Sequence, residues 1–332
     1  MNHFILFNCR RFVVAALSLG CLAGFAADNN APVSLVFSGD IVLDDSAGEM
    51  IRQGGDPFAD FSGVFKGADI RLGNLECVVA TTGSAGDKNY TFRAHPQVLP
   101  VLKRHFDALA LANNHSGDFG RDAFAEMLGL LQQAQLGQFG GGHNLAEAHT
   151  PLIIERKGLR IALLGYSEFM PRSFEADFNA PGVAWSEDEQ VVADIKKART
   201  FYHADLVIPV MHWGWENELS ANPRQRQLAH LMVQAGADAV IGGHPHVTQE
   251  IEHYQGKPII YSVGNFVMKE TDNARQRQGW VLRLMLDKQG VTALDTRVAN
   301  INMDGIPTLD HQSASPCWQR GQAGLQMCLP AD

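Results

Sequence analysis

The stretch Val33-Ser34-Leu35-Val36-Phe37-Ser38-Gly39-Asp40 has the pattern of a buried β-strand that ends in a carboxylate. A short apolar run of this kind, introduced here by Pro32, is typical of a strand covered on both faces. The Ser-Gly-Asp that follows interrupts the run as a turn does. The segment therefore predicts a central strand that carries Asp40 at its carboxyl end.

The same pattern recurs along the chain, because further apolar runs also end at polar or histidine-bearing turns. Ligands collect outside the carboxyl ends of the strands in open α/β sheets, so these turns point to one place. The runs and turns are 68–72 before Gly73-Asn74-Leu75-Glu76, 106–111 before Asn113-Asn114-His115, 204–210 before His212-Trp213-Gly214, and 237–241 before Gly243-His244-Pro245-His246.

Helical periodicity separates these strands, at about 97–104, 121–135, 188–200 and 223–234. Two β-hairpins are also predicted, from 152–155 with 159–165 and from 280–286 with 291–298. Strands alternating with helices indicate an α/β class, and the hairpins make the sheet mixed. We expect a layered α/β fold with a mixed central β-sheet flanked by helices.

Charge excludes one class of partner. The 332 residues contain 27 Lys and Arg against 36 Asp and Glu, a formal net charge of −9. No global basic field exists to attract nucleic acid, so nucleic acid is not an expected partner.

The N-terminus has the features of a signal peptide over residues 1–26. Arg10-Arg11 precedes an apolar stretch at 12–22, and Gly24-Phe25-Ala26 offers small residues for cleavage. The stretch is shorter than the roughly 20 residues that a membrane-spanning helix needs. We expect export to the periplasm or beyond the cell, with lipoprotein anchoring through Cys21 as the less favoured alternative. A catalytic domain at 32–303 and an irregular tail at 304–332 would follow.

The mature chain keeps three cysteines, Cys77, Cys317 and Cys328. An oxidising compartment permits a disulfide between Cys317 and Cys328, which would close the tail. Cys77 lies among apolar residues and is expected to be a buried thiol without a chemical role.

The strand-end turns together supply carboxylate and amide oxygens and imidazole nitrogens, the mixture that a divalent metal takes in a hydrolytic site. In His244-Pro245-His246, alternation along an extended backbone would place both imidazoles on one side. Each element alone also fits a turn, a helix cap or a surface loop. The predicted metal ligands are Asp40, Glu76, Asn114, His212, His244 and His246.

The order of these motifs resembles that of the capsule-biosynthesis CapA, or poly-gamma-glutamate, family, a branch of the calcineurin-like metallophosphoesterases. The resemblance spans about 33–267 and implies a metallophosphoesterase-like fold, in which the mixed β-structure is arranged as two packed sheets. It rests on Ser38-Gly39-Asp40, Gly73-Asn74-Leu75-Glu76, Ala112-Asn113-Asn114-His115-Ser116, His212-Trp213-Gly214, Gly243-His244-Pro245-His246-Val247 and Tyr261-Ser262-Val263-Gly264-Asn265-Phe266.

The resemblance implies that Asn114 binds metal and that His115 acts near the leaving group. Two positions depart from the broader phosphoesterase pattern: Val42 stands where a metal-binding histidine is usual, and Asn74 where a bridging aspartate is usual. Glu76 would replace the bridging carboxylate, or the site would hold a single metal. One or two divalent ions are expected, with manganese, zinc and iron all compatible.

His115 is predicted to donate a proton to the leaving group, with Asp118 orienting its second ring nitrogen. The alternative is a packing role for His115. Further residues were expected to support the ligands or line the substrate cleft: Asn74, Trp213, Glu216 and Asn265.

The resemblance and the predicted site together imply an exported metal-dependent enzyme of capsule or poly-gamma-glutamate metabolism. It would act on an anionic polymer or an amide, alongside the capsule-synthesis machinery of the envelope. The alternatives are a periplasmic phosphoesterase acting on nucleotides or sugar phosphates, and a non-enzymatic envelope accessory protein.

Overall fold

The computed structural model describes Met1 and residues 31–169, 172–269 and 271–330, so the predicted signal peptide lies outside the described residues apart from Met1. The strands are β1 Val33–Ile41, β2 Ile70–Leu75, β3 Val78–Val79, β4 Arg93–Ala94, β5 Ala108–Ala110, β6 Gly137–Phe139, β7 Gly141–Gly142, β8 Leu152–Arg156, β9 Leu159–Ser167, β10 Gly182–Val183, β11 Leu206–His212, β12 Val240–Gly243, β13 Ile251–Tyr254, β14 Lys257–Ile260, β15 Asn265–Val267, β16 Gln278–Asp287, β17 Gly290–Ile301, β18 Pro307–Leu309, β19 Ser315–Gln319 and β20 Gln326–Cys328.

The helices connect these strands, and several carry their own start and stop signals. In the helix that follows Asn222, for example, Asn222 and Gln225 form a capping box, and Gly236 ends the helix in a left-handed conformation. The helices are α1 Asp45–Arg52, α2 Ser62–Lys66, α3 Leu99–His105, α4 Gly120–Gln133, α5 Leu145–Ala148, α6 Asp188–Thr200 and α7 Pro223–Ala235, with 3-10 turns at Ala59–Phe61, Pro96–Val98 and Arg172–Phe174.

The described strands form two large mixed sheets, which confirms the predicted fold class. A ten-stranded sheet runs in the order β20-β19-β17-β16-β1-β2-β5-β6, with β15 paired to β1 and β18 to β17. A six-stranded sheet runs β13-β14-β12-β11-β9-β8. Both predicted hairpins are present, as the antiparallel pairs β8–β9 and β16–β17.

The two sheets pack face to face through side chains that alternate along the strands. Leu35 and Phe37 of β1 share one buried cluster with Leu206 and Ile208 of β11. Because side chains point to opposite faces every second residue, the remaining residues face outward onto helices. Val36 accordingly joins the cluster beneath α1–α4.

The outer face of the six-stranded sheet is covered in the same way. Val207 and Met211 of β11 belong to a cluster with α6 and α7. The result is a layered order of helices, sheet, sheet and helices. No helix in the described part of the chain combines the length and apolar character needed to cross a membrane.

A β-bulge interrupts β1 just before its end. Ser38 pairs with Gly73 and Asp40 with Asn74, so Gly39 is the extra residue. A Cβ added at Gly39 would lie 1.9 Å from the carbonyl oxygen of Gly264, which explains why this position needs glycine.

The C-terminal tail differs from the prediction of irregular structure at 304–332. It forms β18, β19 and β20, which extend the edge of the ten-stranded sheet. Cys317 and Cys328 are joined in a disulfide across β19 and β20, as the sequence permitted. Pairing with β17 and the disulfide stabilise these strands. The polar, glycine-containing sequence of the tail has no local pattern that predicts them. Cys77 is the buried free thiol that was expected, and burial raises its pKa to about 12.

Candidate metal centre

All six predicted metal ligands meet at one edge of the interface between the two sheets. Asp40 lies at the end of β1, and Glu76 and Asn114 follow β2 and β5. His212 ends β11 of the other sheet, and His244 and His246 follow β12, completing the group. The centre therefore continues the inter-sheet core as a polar layer at the carboxyl ends of the parallel strands.

His212 Nε2 is surrounded by three ligand-type atoms. It lies 2.6 Å from Asn114 Oδ1, 3.0 Å from His244 Nδ1 and 3.2 Å from Glu76 Oε1. Atoms that share a metal ion at about 2.1 Å sit roughly 3.0–3.4 Å apart, so most of these separations suit common ligation. A single imidazole N–H can serve only one of these contacts well.

Glu76 connects this group to the remaining ligands. Its Oε1 lies 3.9 Å from His246 Nε2, while Asp40 Oδ2 lies 3.4 Å from His246 Nδ1. Ligand atoms of Glu76, His244 and His246 all fall within 4.8 Å of one another. Glu76 thus takes the central position between the imidazoles.

The residues fit a divalent cation because several buried polar atoms lack partners. Among the described residues, Asp40 Oδ2, both carboxylate oxygens of Glu76 and His244 Nε2 have no hydrogen-bond partner. An unpaired buried polar atom costs about 1–3 kcal/mol, and more when it is charged. Oxygen and imidazole donors left free at one point are what a hydrolytic metal site offers.

A chain of amides fixes how Asp40 is held. Asn113 Nδ2 donates to the carbonyl oxygen of Leu75 and to Asn74 Oδ1, at 2.9 and 3.0 Å. The Asn74 amide nitrogen must then face Asp40, and it donates to Asp40 Oδ1 at 2.7 Å. Asn74 therefore supports a ligand and presents no free oxygen to the centre. The sequence motif that contains Asn113 did not predict this supporting role.

Asn265 orients His246 in a similar way. The amide nitrogen of Asn265 donates to the carbonyl oxygen of Gln276 at 2.9 Å, which leaves its oxygen to accept from His246 Nδ1, also at 2.9 Å. The second ring nitrogen of His246 is then directed at Glu76. This is the supporting position that the sequence predicted for Asn265.

The electrostatics of the centre favour positive charge. Burial opposes ionisation of Asp40, but hydrogen bonding and charge from His246 and His212 lower its pKa below 3.8. Burial also opposes protonation of His246, yet Glu76 and Asp40 raise its pKa to about 10. Burial and neighbouring imidazoles hold the pKa of His244 well below 6.5, so that ring is neutral and free to bind a metal.

The backbone of the His-Pro-His segment differs from the extended conformation that was predicted. His244 and His246 have φ angles of 95° and 58°, in the left-handed region. Their rings converge, with centroids 5.7 Å apart, because the loop curls and not because side chains alternate along a strand. Such backbone conformations are costly for residues other than glycine and cluster at functional sites.

His115 makes the predicted contact with Asp118 at the rim of the centre. His115 Nδ1 and Asp118 Oδ2 are 2.7 Å apart, and both residues are buried. Asp118 also accepts hydrogen bonds from the backbone N–H of Phe92 and from Lys88 Nζ. Lys88 lies in a glycine-containing loop, and sequence reasoning assigned it no role.

Trp213, which is predicted to line the substrate cleft, borders a small cavity beside Trp215, although most of its side chain is buried. The indole of Trp213 is buried in the core and donates to the carbonyl oxygen of Tyr261 at 2.9 Å. Glu216 is exposed on the loop beyond it. Trp215 is 62% exposed, and its ring packs edge-on against the ring of Phe169. The ring centroid of Phe169 is in turn 4.2 Å from that of His244. Phe169 was missed because it belongs to no ligand motif.

Cavities open on either side of Phe169. One, of about 370 Å³, is lined by Asn114, Lys88, Arg172 and Trp185 among others. A smaller one, of about 150 Å³, lies beside Trp215. Asn114, a predicted ligand, lines the larger cavity, and Phe169 lines both.

Comparison with known proteins agrees with the motif resemblance. The family described as "Bacterial capsule synthesis protein PGA_cap" matches residues 34–270. The "PGA biosynthesis protein CapA" of Bacillus subtilis is 33% identical over 81% of this chain and 72% of its own length. The "Capsule biosynthesis protein CapA" of Bacillus anthracis is 30% identical over 84% of this chain and 69% of its own length.

Among solved structures, a hypothetical protein from Thermus thermophilus superposes with a TM-score of 0.53 at 14% identity, covering 80% of this chain and 98% of the other. At that identity the likeness concerns the fold alone. The family match, which contains every one of the six ligand positions, carries the assignment. The chain belongs to the family of bacterial capsule synthesis proteins.

Proposed function

We propose that this chain is an exported, metal-dependent hydrolase that acts on an anionic polymer or an amide in capsule or polyglutamate metabolism. The observation that carries the proposal is the set of buried, partnerless atoms on Asp40, Glu76 and His244 beside His246. A protein used only as a scaffold would have no need to retain such a costly arrangement.

Asp40, Glu76, Asn114, His212, His244 and His246 would hold the metal. Divalent metals in such sites lower the pKa of a bound water and polarise a carbonyl or phosphoryl oxygen. Asn74 and Asn265 keep Asp40 and His246 oriented toward the centre through hydrogen bonds of 2.7 and 2.9 Å. The donor set suits manganese, zinc or iron.

His115 would serve as the acid that protonates the leaving group. Asp118 accepts from its Nδ1, so the Nε2 side of the ring is left to carry the proton that is transferred. Phe92 stacks near the ring, with centroids 4.4 Å apart, and limits its rotation. The chain's own contribution to proton transfer is thus a buried and oriented imidazole.

The cleft supports a polymeric substrate. Space lies on both sides of Phe169, so an extended chain could cross the centre with a segment in each cavity. The names of the Bacillus relatives refer to PGA and capsule biosynthesis, which favours a polyglutamate-type or other capsule polymer. Association with capsule-synthesis machinery in the envelope is part of the same proposal.

Export is proposed from residues 1–26 and is supported by the disulfide between Cys317 and Cys328. Structural disulfides persist in oxidising compartments and are rare in the cytosol. We therefore place the mature enzyme in the periplasm or outside the cell.

Metal analysis of the purified mature chain tests the proposal, combined with assays on poly-gamma-glutamate and on a generic phosphodiester. His244→Ala should abolish both bound metal and turnover, whereas His143→Ala, which alters an exposed histidine, should change neither. Circular dichroism checks that both variants fold.

If the folded protein takes up no metal under any loading condition, the proposed hydrolase activity is refuted. The remaining explanation is then a non-enzymatic accessory role in the envelope. Turnover of the phosphodiester without any cleavage of polyglutamate would reassign the chain as a phosphoesterase.

A further inference from the structure

A third cavity, lined by charged side chains, lies on the outer face of the ten-stranded sheet, the face turned away from the other sheet. It has a volume of about 340 Å³ and is bounded by α2, β16, β17 and tail residues up to Pro330. We call it the outer basic cavity. Its lining residues that matter here are Gly63, Arg283, Asp295, Arg297 and His311.

Strand register places the charged residues on this outer face. Arg283 pairs with Val36 of β1 and with Asp295 of β17, while Arg297 pairs with Val281. Val36 and Val281 both belong to the core beneath the helices, away from the inter-sheet core. The cavity is therefore separate from the metal centre, which continues the inter-sheet layer.

The cavity contains more positive than negative charge. Arg283 Nε donates to Asp295 Oδ2 at 2.8 Å, whereas Arg297 Nε is 3.9 Å from Asp295 Oδ1, beyond hydrogen-bond distance. One carboxylate thus faces two guanidinium groups, with His311 nearby. This local excess is opposite in sign to the −9 of the whole chain.

Arg297 is the residue whose environment calls for a ligand. Its side chain is only 12% exposed, and Asp295 Oδ1, the carboxylate oxygen that faces it at 3.9 Å, is too distant for a hydrogen bond and has no other hydrogen-bond partner among the described residues. A guanidinium has five N–H donors in a planar fork, and its burial is costly unless acceptors are supplied. The fork matches the paired oxygens of a carboxylate or a phosphate.

Gly63 of α2 lines the same cavity and leaves open space beside it. A Cβ added at Gly63 of α2 would meet no atom within 4 Å. We propose that the outer basic cavity is a binding site for an oxyanion, a carboxylate or phosphate group of a ligand held outside the metal centre. In a polymer such a site would hold a segment distant from the reacting bond.

The test uses the full mature chain freed of metal by chelation, so that the metal centre does not bind the probes. Inorganic phosphate and a gamma-linked glutamate octamer are titrated separately by equilibrium dialysis. Both probes should bind saturably, and Arg297→Gln should weaken binding at least tenfold. Arg160→Gln removes the same charge from β9 of the other sheet and should change affinity less than twofold.

Binding of the octamer alone would assign the site to a carboxylate polymer, and binding of phosphate alone would assign it to a small anion. If neither probe binds, or if Arg160→Gln weakens binding as much as Arg297→Gln, the proposal is overturned. Arg283→Gln, at a more exposed arginine, gives the same test if Arg297→Gln does not fold. Because metal is absent throughout, the result is independent of the proposed hydrolase activity.

Discussion

The candidate metal centre has two halves that come from different sheets and are held by partly different means. The oxygen half, Asp40, Glu76 and Asn114, follows strands of the ten-stranded sheet. The nitrogen half, His212, His244 and His246, follows strands of the six-stranded sheet.

Side-chain hydrogen bonds organise the oxygen half, because Asn113 and Asn74 form a chain that ends on Asp40. The nitrogen half combines one such hydrogen bond, from His246 to Asn265, with left-handed backbone conformations at His244 and His246. The distance between the halves is then set by how the two sheets pack. A change in either half should therefore have a distinct signature.

Glu76→Gln should have the largest effect, because Glu76 is the one oxygen ligand that contacts imidazoles on both sides. We expect metal affinity to fall by more than about 100-fold and activity to disappear. Calorimetric titration with Mn²⁺ or Zn²⁺ measures the loss, and Glu216→Gln, at an exposed residue of the same type, is the control. Retention of metal within tenfold of wild type would show that Glu76 is not central.

His115→Asn should separate proton transfer from metal binding within the oxygen half. Loss of a general acid commonly lowers kcat by about 10²–10⁴-fold. Bound metal should remain at the wild-type level, since the side-chain hydrogen bond of His115 is made to Asp118, which is not a predicted ligand. Steady-state kinetics and metal content are measured on the same preparation. A parallel fall in both would instead make His115 a structural support of the centre.

Asn265→Ala and Asn74→Ala form a matched pair that compares the supports of the two halves. Each removes one amide that orients one ligand, His246 in the first case and Asp40 in the second. We expect each to lower metal affinity by roughly 10–100-fold. Calorimetric titration of both variants with metal shows which half loses more affinity. Wild-type affinity in either variant would show that backbone packing alone fixes the ligand concerned.

The last expected effect, which does not involve metal, is on the stability of the metal-free chain as pH changes. His246 has a pKa of about 10 in the fold against an ordinary value of 6.5. The stabilisation from its protonated form is fully present below pH 6.5 and is lost as pH rises through about 10. Urea unfolding between pH 6 and 10 in chelator measures the decline. His246→Asn should flatten the curve, and an unchanged slope would contradict the assignment.

The sequence predicted the strands and the turns after them because both leave local signals. Apolar runs such as 204–210 correspond to β11, and the helix predicted at 188–200 has the observed bounds of α6. The meeting of all six ligands also follows from local rules, since parallel strands end at one edge of a sheet.

Features that depend on tertiary contacts were not predictable in this way. The curled His-Pro-His loop requires surroundings that stabilise positive φ angles at His244 and His246. Trp213 borders a small cavity, yet packing against Tyr261 buries most of its side chain in the core. Phe169 lies beside His244 only because β9 and β12 flank β11 in the same sheet.

The bulge at Gly39 determines which face of its sheet receives the first carboxylate. Strict alternation from Phe37 would send residue 39 toward the second sheet and Asp40 toward the helices. The extra residue reverses this phase, so that Ile41 joins the outer core and Asp40 turns to the histidines. The position of Asp40 at the centre thus depends on the one extra residue that the bulge inserts into β1. In family members that share Asp40, we expect the bulge residue before it to be kept as strictly as the aspartate itself, because losing that residue would turn the carboxylate toward the helices.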